Sequence, residues 1–292
     1  MELSRVLITG TTSGVGRALL DHYARRGASL VAVNRRHVPE LEARYPSVRF
    51  ERVDVRDADG VRGLVERLVA ARALPDVFLL NAGINRIDND EGFDLDAYRE
   101  VIDTNLYGVL NFVGPLTRLP AGQRPRHVVA IGSLARYVGN PYALGYLTSK
   151  RALSACFEVW ARVYAGTDLV FQQVLLGPVP TAILTLDEHA PPWVAEVRGW
   201  LSGSLEGTAR AIARFAATRR RRLHYPRRAL LPFLGLWLAQ APFPGCWPGR
   251  TTLAGRPRRD GGRPDEAWAR SEPRGPGGRA RRARSSQRGR GR

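Results

Sequence analysis

Of the 45 Lys and Arg residues in this chain, one is a lysine, Lys150. Arginine keeps its proton and presents a planar fork, whereas lysine offers a compact ammonium that can release one, so a lone Lys among arginines marks a position to question for amine chemistry. Four residues before it stands Tyr146. On a helix i and i+4 share a face, which would set a phenol beside an ammonium. With nine Tyr in 292 residues, a Tyr at that spacing arises by chance about 3% of the time. A free tyrosine, with a pKa of about 10, exchanges protons poorly near neutrality, and an adjacent cation is expected to stabilise the phenolate and lower that value. Such a pair suits proton exchange with a substrate oxygen. Two ordinary helix-face residues are the blander reading.

The elements that must hold this pair are visible as alternation. Short apolar runs at Val6 to Thr9, Ser29 to Asn34, Val48 to Asp54, Val77 to Asn81, His127 to Ser133 and Leu169 to Leu176 read as strands. Helix-like segments lie between them, at Arg17 to Arg26, Val61 to Arg72, Asp96 to Leu116 and Tyr146 to Tyr164. Near-continuous apolar strands separated by helices indicate an α/β fold with a parallel sheet covered on both faces. Ligands of such sheets bind beyond the carboxyl ends of the strands.

Several polar residues fall at those ends. After the first strand comes Thr9-Gly10-Thr11-Thr12-Ser13-Gly14-Val15-Gly16, a glycine-rich turn that opens a helix and suits a pyrophosphate at the helix N-terminus. After the second strand, an acidic residue would favour NAD by binding the ribose. The chain instead has Asn34-Arg35-Arg36, which suits a 2′-phosphate and favours NADP, with NAD as the alternative. In an Arg-rich chain these two arginines could also be simply solvated. The third strand ends at Asp54-Val55, the fourth at Asn81-Ala82-Gly83 and the fifth at Ser133, while Asn105 lies inside the long helix after the fourth.

Together these residues resemble the short-chain dehydrogenase/reductase family, in its short single-domain form. The likeness runs from residue 3 to about 226 through TGxxxGxG at Thr9 to Gly16, Asp54-Val55, NAG at Asn81 to Gly83, Thr104-Asn105, Ser133, and YxxxK at Tyr146 to Lys150. The resemblance implies a doubly wound, Rossmann-type parallel sheet and a catalytic tetrad of Asn105, Ser133, Tyr146 and Lys150. Tyr146 would exchange the proton, Ser133 would hold the carbonyl oxygen and Asn105 a relaying water. Lys150 would bind the nicotinamide ribose. The glycine turn would hold the pyrophosphate, Asp54 the adenine and Asn81 the ribose region. Where the family has PGxVxT the chain has Leu176-Gly177-Pro178-Val179-Pro180-Thr181. Leu176 replaces a proline, while Gly177, Val179 and Thr181 keep the pattern expected to contact nicotinamide. The implied activity is hydride transfer between NADP(H) and a small-molecule alcohol or carbonyl, in a homodimer or homotetramer. A regulator or scaffold that kept the fold and binds cofactor without turnover is the second class, and an epimerase or dehydratase a lesser one.

Composition bounds the rest. A hydrophobic content of 44% and a charged content of 25% fit an ordinary globular chain. Cys156 and Cys246 have no metal-ligand spacing, so no metal is expected, and with no secretory signal in MELSRVLITG a reducing, cytoplasmic location is expected. The net charge of +18 is uneven, with 14 Arg and four acidic residues after residue 245. Residues 1–245 are therefore expected to form the dinucleotide-binding domain and 246–292 an Arg/Gly/Pro-rich disordered tail. Nucleic-acid binding by that tail is the less favoured reading beside a solvated charge run. Residues 182–210, with Pro191, Pro192, Trp193 and Trp200, are expected to cover the substrate. The apolar run Ala229 to Ala241, interrupted by Pro232, is expected to pack on the body or on a second subunit, ahead of a membrane-surface contact.

Overall fold

The computed structural model describes residues 5–88, 92–137, 143–180 and 201–231. All lie in one compact unit, Met1–Pro248. Its strands are β1 (Arg5–Thr9), β2 (Ser29–Asn34), β3 (Arg49–Arg52), β4 (Val77–Leu80), β5 (His127–Ser133), β6 (Val170–Leu176) and β7 (Arg222–Tyr225). Its helices are α1 (Gly14–Ala24), α2 (Pro39–Arg44), α3 (Ala58–Ala70), α4 (Leu95–Ile102), α5 (Gly108–Arg118), α6 (Leu144–Val163) and α7 (Leu205–Ala216). The sheet has seven strands in the order β3-β2-β1-β4-β5-β6-β7, every neighbouring pair parallel.

This is the expected doubly wound architecture, and the strand sequences explain it. Successive side chains of a strand point to opposite faces, so a strand covered on both sides must be apolar at every position. Leu7, Val31, Val33, Phe78, Leu80, Val128 and Ala130 pack on one face against α3, α5 and α6, through residues such as Leu64, Phe112 and Phe157. Their neighbours Val6, Ile8, Leu30, Ala32, Leu79, Val129 and Ile131 pack on the other against α1 and α7, through Leu19, Leu20, Ile212 and Phe215. Each fully buried Leu or Phe contributes about 1.5–3 kcal/mol, so neither face can be left uncovered.

The structure differs from the sequence expectations at four places. The helix expected over Asp96 to Leu116 is broken by a π-helical turn, Asp103–Tyr107, in which the Gly108 N–H donates to the Asp103 carbonyl five residues back. The third strand stops at Arg52, so Asp54 and Val55 lie beyond it in a turn. The segment expected to cover the substrate ends early, because Ser204 accepts the Gly207 N–H at 3.0 Å and starts α7, which packs into the sheet face beside α1. Beyond it Arg222–Tyr225 forms the edge strand β7. Residues 181–200, including Thr181 and most of the expected cover, lie outside the described residues, as do most of the 229–241 run and the whole 246–292 tail. Of that run, Ala229 is fully buried and packs with Leu134 and Leu175.

Candidate active site

The strand order reverses between β1 and β4, and the expected site residues gather at the carboxyl ends around that crevice. The glycine turn is held from both sides. On the β4 side, Thr9 Oγ1 accepts the Asn81 and Ala82 N–H groups, each at 2.9 Å, while Asn81 Nδ2 donates to the Thr9 and Gly10 carbonyls at 3.0 and 3.1 Å. On the β2 side, Asn34 Oδ1 accepts the Thr11 N–H at 2.8 Å and Asn34 Nδ2 donates to Thr11 Oγ1 at 2.9 Å. The glycines are required by space and backbone. Gly10 has φ +72 with Ala82 Cα at 2.9 Å from where a Cβ would stand, and a Cβ on Gly16 would lie 1.9 Å from the Gly10 carbonyl. Thr12 and Ser13 are exposed, and Ser13 makes no side-chain cap, so the first N–H groups of α1 remain open to an anion. Gly14, with φ +55, and Val15 complete the opening turn.

At the far end of this crevice Asn34 is 6% exposed and its side chain is spent on Thr11, so its part is to hold the turn. Arg35 and Arg36 are exposed. Asp54 is gripped by Arg56, whose Nε and Nη2 donate to Oδ2 at 3.1 and 2.7 Å and whose backbone N–H reaches Oδ1 at 3.0 Å. The Arg56 hydrogen bonds hold the Asp54 carboxyl below its usual range, with Arg35 adding a smaller attraction. Val55 is buried against Gly108, where a Cβ would come within 2.7 Å of Val55 Cγ2.

The opposite end contains Asn105, Ser133, Tyr146 and Lys150. Ser133 closes β5, where its Oγ accepts the Ala135 N–H at 3.1 Å, and its side chain favours the Tyr146 phenolate. Lys150, one turn along α6, is 6% exposed, lies 5.6 Å from the Tyr146 ring centroid and donates to the Ile131 carbonyl at 3.0 Å. Burial dominates the electrostatics. It raises the phenol above the ordinary tyrosine value, against the pull of Ser133, and pushes the Lys150 ammonium down to about 8. The phenol pKa expected to fall therefore rises, because burial outweighs the pull of Ser133.

Asn105, fully buried in the π-helical turn, accepts the Ile84 N–H at 2.8 Å and donates to the Ile84 carbonyl at 2.9 Å and to Ser149 Oγ at 3.2 Å. Its side chain ties the end of β4 to α6. Gly83 lies against it, and a Cβ there would come within 3.1 Å of Asn105 Oδ1. Ser149, unnoticed in the sequence, donates to the Tyr146 carbonyl at 2.7 Å and is fully buried. Gly177 donates to the Tyr225 carbonyl at 2.8 Å and Val179 is buried, which places the start of the Gly177-Pro178-Val179 segment beside β7.

Comparison with known proteins agrees with this fold. The family model described as short chain dehydrogenase matches residues 4–190, more than half of the chain. A protein of Sesamum indicum named 11-beta-hydroxysteroid dehydrogenase A is 33% identical over 59% of this chain and 51% of its own length, so the match spans about half of that relative. The 3-oxoacyl-(acyl-carrier-protein) reductase FabG of Thermotoga maritima is 29% identical over 60% of this chain and 74% of its own. Among solved structures, a short-chain dehydrogenase from Streptomyces avermitilis superposes with a TM-score of 0.69 at 23% identity, covering 82% of this chain and 94% of that one.

Proposed function

Because the chain belongs to the short-chain dehydrogenase family, we propose that it interconverts an alcohol and a carbonyl with NADP(H), with Tyr146 as the general acid and base. The observation that carries this reading is the constellation of Lys150 5.6 Å from the Tyr146 ring, one helical turn away, with a Ser133 side chain that favours the Tyr146 phenolate.

The crevice fits a dinucleotide. Gly10 and Gly16 have no room for a side chain against Ala82 and the Gly10 carbonyl, and Gly14 has φ +55, so the turn stays bare backbone in front of an uncapped helix N-terminus. Thr9, Gly10, Thr12, Ser13, Gly14, Val15 and Gly16 would line the pyrophosphate, Asp54 and Val55 the adenine, and Asn81, Ala82 and Gly83 the ribose. Gly177, Val179 and Thr181 would line the nicotinamide. Asn34 brings no carboxylate, and the exposed Arg35 and Arg36 would pair with a 2′-phosphate, which supports NADP over NAD. When bound, the nicotinamide supplies or accepts the hydride.

The chain's own residues manage the oxygen. In reduction Ser133 Oγ–H holds the substrate carbonyl, and the Tyr146 phenol, kept protonated by its raised pKa, donates its proton to that oxygen. Lys150 binds the ribose and returns a proton toward Tyr146 from solvent, which a guanidinium locked in its charged form would do poorly. Asn105 keeps the end of β4 and α6 in register. The substrate is a small alcohol or carbonyl, the assembly a homodimer or homotetramer, and the location cytoplasmic.

The test is oxidation of NADPH and NADH, followed by absorbance, across aldehydes, ketones, steroid ketones and 3-oxoacyl thioesters. Turnover with NADPH preferred is expected. Cofactor binding with no turnover on the whole panel would transfer the protein to the binding-only class.

A further inference from the structure

The loop from β4 to α4 contains a carboxylate that the proposed chemistry does not use. Asp88 is 1% exposed, and both of its oxygens are taken by backbone donors at the start of α6. The Leu144 N–H donates to Oδ1 at 2.7 Å and the Gly145 N–H to Oδ2 at 2.6 Å. These amides belong to the first turn, where a helix has no internal acceptors and where its dipole favours negative charge. Ala143, at the N-cap of α6, has no side-chain acceptor to offer, so a residue 56 positions before Leu144 fills that part.

The described ends of the loop are fastened to the same machinery. Ile84, at its start, is clamped by Asn105, and the Asp88 carbonyl accepts the Asp94 N–H at 2.9 Å, just where Asp94 begins α4. Gly145 is the residue that allows this approach, since a Cβ there would stand 2.8 Å from Asp88 Oδ2 and 3.2 Å from Tyr98 Cα. The next residue along α6 is Tyr146.

We propose that Asp88 is a positioning residue for the proton donor: its buried carboxylate fixes the first turn of α6 and so sets the Tyr146 hydroxyl against Ser133. The proposal rests on the reading of Tyr146 as the acid and base. Proton transfer is sensitive to displacements of about 1 Å, and a carboxylate that accepts two helix amides at once holds the turn more tightly than a one-oxygen cap can. Asparagine at 88 keeps one acceptor and turns an N–H donor toward a second N–H donor, so the turn must shift.

Position and charge make opposite predictions. Removing a nearby negative charge would by itself make the phenolate easier to form, whereas moving the phenol away from Ser133 removes an interaction that favours the phenolate. The experiment uses the full chain with difluorotyrosine at position 146, which brings the phenol titration toward neutral pH, read by fluorine NMR. Asp88→Asn and Gly145→Ala are compared with the parent, together with cofactor binding, thermal melting and kcat on a substrate found in the panel assay. An upward shift of the titration in both variants is expected, with unchanged cofactor affinity and kcat lowered at least about tenfold.

An unmoved titration and kcat in folded Asp88→Asn would overturn the proposal. A downward shift would do so too, by showing that Asp88 acts through charge. So would losses of kcat that merely follow losses of melting temperature and cofactor affinity. Should Asp88→Asn fail to fold, Gly145→Ala, which keeps the carboxylate, decides on the same readouts. The titration needs no substrate, so a parent protein that turns nothing over would sink the acid and base reading while the positioning of Tyr146 is still measured.

Discussion

At the residue scale, the lone lysine matters because burial acts in opposite senses on it and on its neighbour. The phenol is pushed up and the ammonium down to about 8, so both are driven toward their neutral forms in the same pocket. A raised phenol pKa suits an acid that must still hold its proton near neutrality. Reductive kcat is therefore expected to be flat near neutrality and to fall as pH rises through about 8, where Lys150 loses its charge, and a pH profile of kcat will show it. Tyr146→Phe removes the proton donor and is expected to lower kcat by about two to four orders of magnitude with cofactor affinity unchanged. Lys150→Arg keeps a charge and removes the amine, so it too should cut kcat strongly while thermal melting stays near that of the parent, and near-normal turnover would remove the catalytic assignment. Replacing Arg35 and Arg36 together with Ala is expected to raise KM for NADPH by about tenfold or more and leave KM for NADH nearly unchanged, as measured by paired titrations of the two cofactors.

At the scale of elements, the π-helical turn Asp103–Tyr107 has the largest leverage, since it turns Asn105 inward onto Ile84 and Ser149. Asn105→Ala takes the side-chain partner from the partly buried N–H and carbonyl of Ile84, which costs about 0.5–1.5 kcal/mol for each hydrogen bond lost. Chemical denaturation is expected to show a loss of that order, with kcat falling beside it because α6 loses its tie to the β4 end. The sequence could not disclose this turn. An extra residue in a helix leaves the apolar spacing of Val101, Val109 and Phe112 nearly intact, so Asp96 to Leu116 reads as one continuous helix. The strands were legible for the opposite reason: burial on both faces writes an unbroken apolar run. The edge strand β7 escaped because Arg-Leu-His-Tyr, paired on one side, has no such run. The glycine turn, Tyr146 and Lys150 could be read as local spacing, whereas Asn34 holding Thr11 and Asp88 holding α6 join residues 23 and 56 positions apart and leave no local trace.

At the scale of the whole molecule, the chain carries a net charge of +18, and among the described residues three histidines have their pKa lowered by the fold. Burial first, then Arg26, Arg25 and Arg210, lowers the pKa of His22, and its Nδ1 faces an Arg26 Nη1 donor at 3.2 Å, which requires a neutral acceptor nitrogen. Burial lowers His127 against a smaller opposing hydrogen bond with Gln172, and burial followed by Arg222 and Arg136 lowers His224. In each case the unfolded chain takes up a proton at a higher pH than the folded one. Between the ordinary histidine pKa and the lower folded values the unfolded state binds more protons, so stability rises with pH there and is lost on acidification. Asp54 and Glu158 act in the same sense but later: the Arg56 hydrogen bonds hold Asp54 low, and at Glu158 burial raises the pKa but Arg136, Arg222 and Arg162 together outweigh it, so their contribution is lost only as pH falls through the carboxylate range. Thermal melting is expected to drop by a few degrees between about pH 7.5 and about pH 5.5, ahead of any carboxylate step. Added salt screens repulsion among the surface arginines but leaves the burial of the imidazoles untouched, so most of the drop should survive at high salt. A melting temperature that stays flat through that window would mean that these rings are protonated within the folded protein at little cost.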